Sequence, residues 1–331
     1  MAIIDLAIDM GSTNTTIFQY SYGIVLKEPT VIALRQNRKT ETIATGAKAK
    51  RLYGKVSGNT QVISPIRDGV IINTDAMVIL MKEFLSRITP EGFFKPRIRS
   101  LCAIPCGLSL AERKQYETVL QKSGINEVTL IDTPVAVSRL IANNGIIMVS
   151  GGCLTDVAMV TNNEIIDGVS LNIAGEAVNN AIVDHLYDKH NVRIAQTTTE
   201  KIKLEIASLY PNDTSNIDVI GRDVDTGAQK SFVVTASEIY AVISPIFKKI
   251  TDVITSMVSY APTEVADEMS ENGIYLCGGT SQLPGISEWI ANETGLKVTL
   301  IDDSSSTVIS ALGLLTGERE KVANLLNLKK Y

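Results

Sequence analysis

Histidine and cysteine are scarce in this chain, with two of the first and four of the second among 331 residues. His185 and His190 stand five apart in HLYDKH. That is not the three- or four-residue spacing that aligns side chains on a helix, so no chemistry is read from them. Cys102, Cys106, Cys153 and Cys277 all fall in apolar stretches, no CxxC pair occurs, and neither histidine is close to them in sequence. Buried, reduced thiols are expected, rather than zinc ligands or disulfides. No apolar run approaches the roughly 20 residues that cross a bilayer. The opening MAIIDLAIDM has neither a basic n-region nor a cleavage site and reads as a first core strand. Positive charge is not in surplus either. The net charge of -5 excludes a nucleic-acid footprint spread over the surface.

What the chain does have is apolar material, 45% of its residues. Its length suggests two or more lobes. Short β-branched runs (IIDLAID, TTIFQY, IVLKE, TVIAL) come first, bounded by Gly, Ser and Asn. A helical period follows in TDAMVILMKEFLSRI, where Met77, Leu80, Met81, Phe84 and Leu85 form one stripe. SLCAIP reads as a strand. SLAERKQYETVLQKSG reads as a helix capped by Ser109 and closed by Gly124. VTLID is a further strand, and TPVAVSRLIANNG is expected to start with Thr133 as cap and Pro134 as first helical residue. From residue 146 the layout restarts: IIMVSGG, TDVAMVTN and EIIDGVSLN repeat the strand–turn–strand–turn–strand order of residues 3–32, and helices follow again. An internal duplication of α/β lobes is expected.

Three glycine-bearing loops end strands. In DMGSTNTT, Gly11 permits a tight turn, and Ser12, Thr13 and Asn14 offer backbone N–H groups and hydroxyls to an anion. Asp9 beside such a nest would repel phosphate unless a cation lay between, which suggests Mg²⁺ held through water. In SGGCLT, Gly151 and Gly152 allow close backbone approach, flanked by the hydroxyls of Ser150 and Thr155. In LCGGTSQLPGISEWI, Gly278 and Gly279 follow a strand, and Thr280, Ser281 and Gln282 lead toward a helix that Pro284 could open. One such loop is an ordinary turn; three in this order are far more specific.

In that order and spacing the chain resembles the actin-fold ATPases, and within them the MreB-like bacterial actins. IDMGSTNT, GIVLKEPTVIAL, SPIRDGVI, FFKPRI, IDTPVAV, SLNIAGE, EKIKLEIASLYP and GIYLCGGTSQLPGI carry the resemblance over essentially the whole chain. It implies an actin-like fold, two duplicated α/β lobes around a nucleotide cleft, with 1–31, 64–147 and 306–331 as subdomain IA. Residues 32–63 would form IB, 148–175 and 238–305 IIA, and 176–237 IIB. It implies ATP or ADP with Mg²⁺ as cofactors, bound through Gly11, Ser12, Thr13, Asn14, Gly151, Gly152, Cys153, Gly278, Gly279, Thr280 and Gln282. It also places adenine and ribose contacts on the helix of TTTEKIKLEIASLY, where Glu200 and Lys203 share a face; a solvated charged face explains that pair equally well.

The chain departs from the family pattern at four positions in two motifs. The Asp that opens the second loop in such proteins is Val149 here, and the later Gly and Thr are Cys153 and Leu154. The Glu that positions the attacking water is replaced by Thr133. Removing general-base assistance typically costs about 10²–10⁴-fold. Weak or absent hydrolysis is therefore expected, with nucleotide binding retained. The resemblance also implies self-association into filaments, co-assembly with paralogues, and a cytoplasmic location against the inner face of the membrane. EGFFKPR supplies Phe93, Phe94 and Lys95 for lipid contact, unless the rings cap the local core. Two rivals stand beside a filament protein. One is a non-polymerising actin-fold adaptor docking a membrane complex. The other is a small-molecule kinase, for which the chain shows neither a catalytic carboxylate at the transferred phosphate nor a longer substrate lobe.

Overall fold

The computed structural model describes residues 3–37, 40–89 and 96–318. The chain divides into two compact units, Met1–Asn143 with Ser306–Tyr331, and Asn144–Ser305.

In the first unit a five-stranded sheet runs in the order Glu127–Asp132, Arg97–Ile104, Ile3–Met10, Asn14–Gln19, Gly23–Pro29. The first strand pairs parallel with Arg97–Ile104 and antiparallel with Asn14–Gln19. Side chains alternate across a pleated strand. Leu6, Ile8 and Met10 therefore enter one core with Met77, Leu80, Met81 and Phe84 of the helix Thr74–Ile88 and with Tyr116, Val119 and Leu120 of Leu110–Lys122. Ala7 faces the other way, onto Ala136, Ile309, Leu312 and Leu315. Asp9 shares Ala7's face by the same period. A smaller antiparallel sheet is formed by Thr40–Thr45, Ile32–Gln36 and Thr60–Ile63.

The second unit repeats the plan. Its sheet runs Glu164–Leu171, Thr155–Thr161, Gly145–Ser150, Ile274–Cys277, Val298–Leu300. Two antiparallel pairings are followed by two parallel ones, as in the first unit read from Gly23–Pro29. Its core joins Ile146, Met148, Val157 and Met159 to Val178, Ile182 and Leu186 of the helix Gly175–His190 and to Ile239, Ile243 and Phe247 of Ala236–Tyr260. Its small sheet holds Val192–Arg193, Asn216–Asp223 and Gln229–Thr235. The expected duplication is thus present in sheet topology.

Local signals held at some helix ends and failed at others. Ser109 closes a full capping box with Glu112, and Gly124 takes φ +108 just past the helix end. The helix after VTLID starts at Thr133 with Asp132 as its N-cap, so Pro134 is the second helical residue. Pro134 lacks a donor, and either of the first two positions leaves no bond unmade. Pro284 opens no helix: Gly279–Gln282 form a 3₁₀ turn, and the following helix, Ile286–Thr294, is entered through Gly285 at φ +79. Among the described residues no helix is long and apolar enough to cross a membrane.

Candidate functional site

The two lobes build their first turns alike. Gly11 N–H donates to Asn14 O at 3.0 Å, and Gly151 N–H donates to Leu154 O at 2.8 Å. Each turn follows the first strand of its hairpin, and a Cβ at Gly11 would sit 2.9 Å from Asn14 O. A threonine hydroxyl braces each glycine carbonyl: Thr30 Oγ1 donates to Gly11 O at 2.6 Å, and Thr280 Oγ1 to Gly151 O at 2.6 Å. The amides of Ser12 and Thr13 in one turn, and of Gly152 in the other, make no hydrogen bond among the described residues. Adjacent unpaired amides in a glycine turn are the donor set an anion needs. Asn14 begins the next strand.

Asp9 stands at the end of the first strand, one residue from where the turn begins. Burial pushes its carboxyl up from 3.8 to about 6, and Lys27 pulls it partly back. On the neighbouring strand, burial and then the Asp9 charge push the Cys102 thiol upward. Among the described residues no three His, Cys, Asp or Glu side chains could together hold a metal ion. A single desolvated carboxylate next to a phosphate-type turn fits a hard cation that keeps most of its water and takes its other ligands from phosphate.

In the second unit the third loop is locked onto the second. Gly278 has φ +96, and a Cβ there would meet Ser150 O at 2.2 Å, so only glycine lets the two backbones touch. Gly279 has nothing within 4 Å of its Cβ position. Gly175, at the N-terminus of its helix, would meet Thr280 Oγ1 at 3.2 Å, Gly152 O at 3.5 Å and Lys203 Nζ at 3.6 Å. Lys203 Nζ holds Glu200 Oε2 at 2.8 Å, and Asn179 Nδ2 donates to the same oxygen at 3.1 Å. Gly151, Gly152, Thr280, Glu200 and Lys203 therefore meet around one glycine. Cys153 is half-buried, and its thiol donates to Glu176 Oε2 at 2.9 Å, so it is not the enclosed apolar thiol expected from sequence. Cys106 is also partly exposed, while Cys102 and Cys277 are buried. Gln282 is exposed at the end of the 3₁₀ turn and bonds to none of these groups.

Val149 and Thr133 are both closed structurally. Val149 is buried. Its cross-strand partner is Asp156, a buried carboxylate that accepts from Ser170 Oγ. Thr133 is buried and donates Oγ1 to Ile104 O at 3.0 Å, so its hydroxyl is spent on the sheet. Asp132 is held by the Arg113 guanidinium. Asp156, Gly175, Glu176 and Asn179 were not singled out from sequence; only SLNIAGE pointed near them. The structure also gives the histidines a partner: both Nε2 atoms lie within 3.7 Å of Glu238 Oε2, although no role had been read from their spacing. Phe93, Phe94 and Lys95 lie outside the described residues.

The arrangement belongs to a known class. The structure matches MreB5 of Spiroplasma citri bound to AMPPNP at TM-score 0.90 and 26% identity, covering 99% of each chain. It also matches a MamK double helical filament at 0.80 and 16%, covering 95% of this chain and 99% of that one. The fold is that of the actin-like proteins. The model of the MreB/Mbl protein family matches residues 3–324. The cell shape-determining protein MreB of Escherichia coli (strain K12) is 31% identical over 316 residues, 92% of this chain and 90% of its own. The cell shape-determining protein Mbl of Bacillus subtilis (strain 168) is 26% identical over 326 residues, 96% and 97% respectively. The chain belongs to the MreB/Mbl family of cytoskeletal, actin-fold proteins.

Proposed function

We propose that this chain binds ATP or ADP and polymerises into membrane-associated filaments that act in cell shape or shape-driven movement, with hydrolysis slow or lost. The observation that carries nucleotide binding is the locking of the Gly278–Thr280 loop onto the Gly151 turn beside Lys203 and Glu200. Family members whose names refer to cell shape, and a structural neighbour bound to AMPPNP, support the same reading. In this reading the Gly11–Asn14 and Gly151–Leu154 turns take the phosphates and Glu200 with Lys203 the nucleoside. Mg²⁺, when bound, would neutralise phosphate charge next to Asp9. Thr133 and Val149 supply neither a water-positioning carboxylate nor a second group to order the cation, and positioning provides nearly all of phosphoryl-transfer catalysis. Filament growth and co-assembly with paralogues would then follow nucleotide occupancy rather than turnover. The loop of Phe93, Phe94 and Lys95 would meet lipid.

The test pairs calorimetric nucleotide binding with phosphate release under polymerising conditions. Binding with negligible release is expected, and Thr133→Glu combined with Val149→Asp should raise release by about 10²-fold or more. Brisk release by the unaltered chain overturns the slow-hydrolysis reading. Absence of binding overturns the nucleotide site.

A further inference from the structure

The carbonyl groups of the first glycine turn are held by side chains to which the nucleotide reading gives no part. The chain enters the small sheet of the first unit through Thr30 and Val31, after Gly23–Pro29. It leaves through Ser64 and Pro65, after Thr60–Ile63. Both crossings reach back to the turn. Thr30 Oγ1 donates to Gly11 O at 2.6 Å, and Ser64 Oγ donates to Ser12 O at 3.2 Å. Thr30 N–H donates to Thr13 O at 3.0 Å. Three successive carbonyls therefore point toward the crossings.

A planar trans peptide sets its C=O and N–H in opposite directions. Gly11 O shares a peptide with Ser12 N–H, and Ser12 O shares one with Thr13 N–H. Fixing those two oxygens on Thr30 and Ser64 thus turns the two amides the other way, and these are the amides without a partner among the described residues. A hydrogen bond at a carbonyl also polarises its peptide and makes the amide a better donor. The second unit repeats the arrangement with other atoms. Thr280 Oγ1 donates to Gly151 O at 2.6 Å, and Glu176 N–H donates to Gly152 O at 2.7 Å. The same two carbonyls are therefore held in both turns, although the groups holding them come from different parts of each unit. In the first unit the second of these donors is a side chain, and the half-buried Ser64 can lose it without a change in backbone.

We propose that Ser64 is a positioning residue for phosphate: its hydroxyl orients the Ser12–Thr13 peptide so that Thr13 N–H meets the anion. The hydroxyl has one proton and three acceptors within reach, Ser12 O at 3.2 Å, Thr30 O at 3.0 Å and Ile66 O at 3.0 Å. An anion on Thr13 N–H strengthens Ser12 O as an acceptor, so phosphate draws the Ser64 proton to that oxygen. The inference rests on the phosphate role proposed above for the Gly11–Asn14 turn.

The experiment is calorimetry of the full chain with ADP and, by competition, with adenosine, well below the thermal midpoint. Adenosine carries no phosphate, so it makes no use of the turn. Ser64→Ala should weaken ADP roughly three- to tenfold, the worth of one hydrogen bond, and leave adenosine unchanged. Ser64→Thr keeps the hydroxyl and should restore most of the ADP affinity. A general loosening of the fold would weaken both ligands together. Three results overturn the role given to Ser64 and leave the nucleotide site standing. They are equal weakening of ADP and adenosine, unchanged ADP affinity in Ser64→Ala, and a Ser64→Thr that behaves like Ser64→Ala. Failure of the unaltered chain to bind ADP overturns the nucleotide reading itself, and this inference with it.

Discussion

Replacing Asp9 by asparagine should make the nucleotide-free protein more stable and remove its response to Mg²⁺. The carboxyl is raised from 3.8 to about 6 because burial disfavours its charge, and Lys27 offsets only part of that. At about 1.4 kcal/mol per pH unit the difference corresponds to roughly 3 kcal/mol of destabilisation when the group is ionised. Asp9 keeps some exposed surface, so that figure is a ceiling. The sign follows from proton counting. Between pH 4 and 6, roughly, the folded chain holds a proton on Asp9 that the unfolded chain has lost, so the penalty is present above about pH 6 and fades as pH falls. Asp9→Asn should therefore raise the thermal midpoint at about pH 7.5 by several degrees. That gain should shrink toward zero near about pH 4. In the unaltered chain Mg²⁺ with nucleotide should stabilise beyond nucleotide alone, and in Asp9→Asn the added Mg²⁺ increment should vanish. Scanning calorimetry across pH, with and without Mg²⁺, measures both. A destabilised Asp9→Asn with an intact Mg²⁺ response would refute the reasoning, because it would make Asp9 a structural partner rather than a strained charge.

Neighbouring glycines of the third loop should separate folding from binding. Gly278→Ala puts a Cβ 2.2 Å from Ser150 O at φ +96 and should cost on the order of 3 kcal/mol in denaturant unfolding. Gly279→Ala meets nothing within 4 Å, so it should leave stability unchanged while weakening nucleotide affinity in calorimetry. Cys153, partly exposed on the second turn, should alkylate several-fold more slowly when nucleotide is bound, as read by mass spectrometry. Unchanged alkylation with nucleotide bound would mean that the nucleotide does not cover this turn.

The sequence by itself determined the two-lobe α/β plan and the family, because periodicity and glycine placement are local. Period-2 runs, helical stripes and turn glycines depend on a few adjacent residues. The restart near residue 146 was accordingly legible before the two sheets revealed one topology. Gly11 and Gly151 could be marked as turns from their neighbours alone, and Ser109 as a cap from Glu112 three residues on.

What only the tertiary structure decided is which distant groups meet. No local pattern says that Gly278 must be glycine because Ser150 lies across it, 128 positions earlier, or that Thr280 braces Gly151. The neutral appearance of Thr133 in sequence hid its bond to Ile104, and only strand pairing set Asp156 beside Val149. The histidines, out of helical phase with each other, converge on Glu238 because a second helix brings that carboxylate to both. Helix entry at Thr133 rather than Pro134, and at Ile286 by way of Gly285, was decided by packing, since proline permits either of the first helical positions. Turn chemistry is written in adjacent residues, whereas a binding site is assembled from residues far apart in the chain, whose coincidence is fixed by sheet order and close packing.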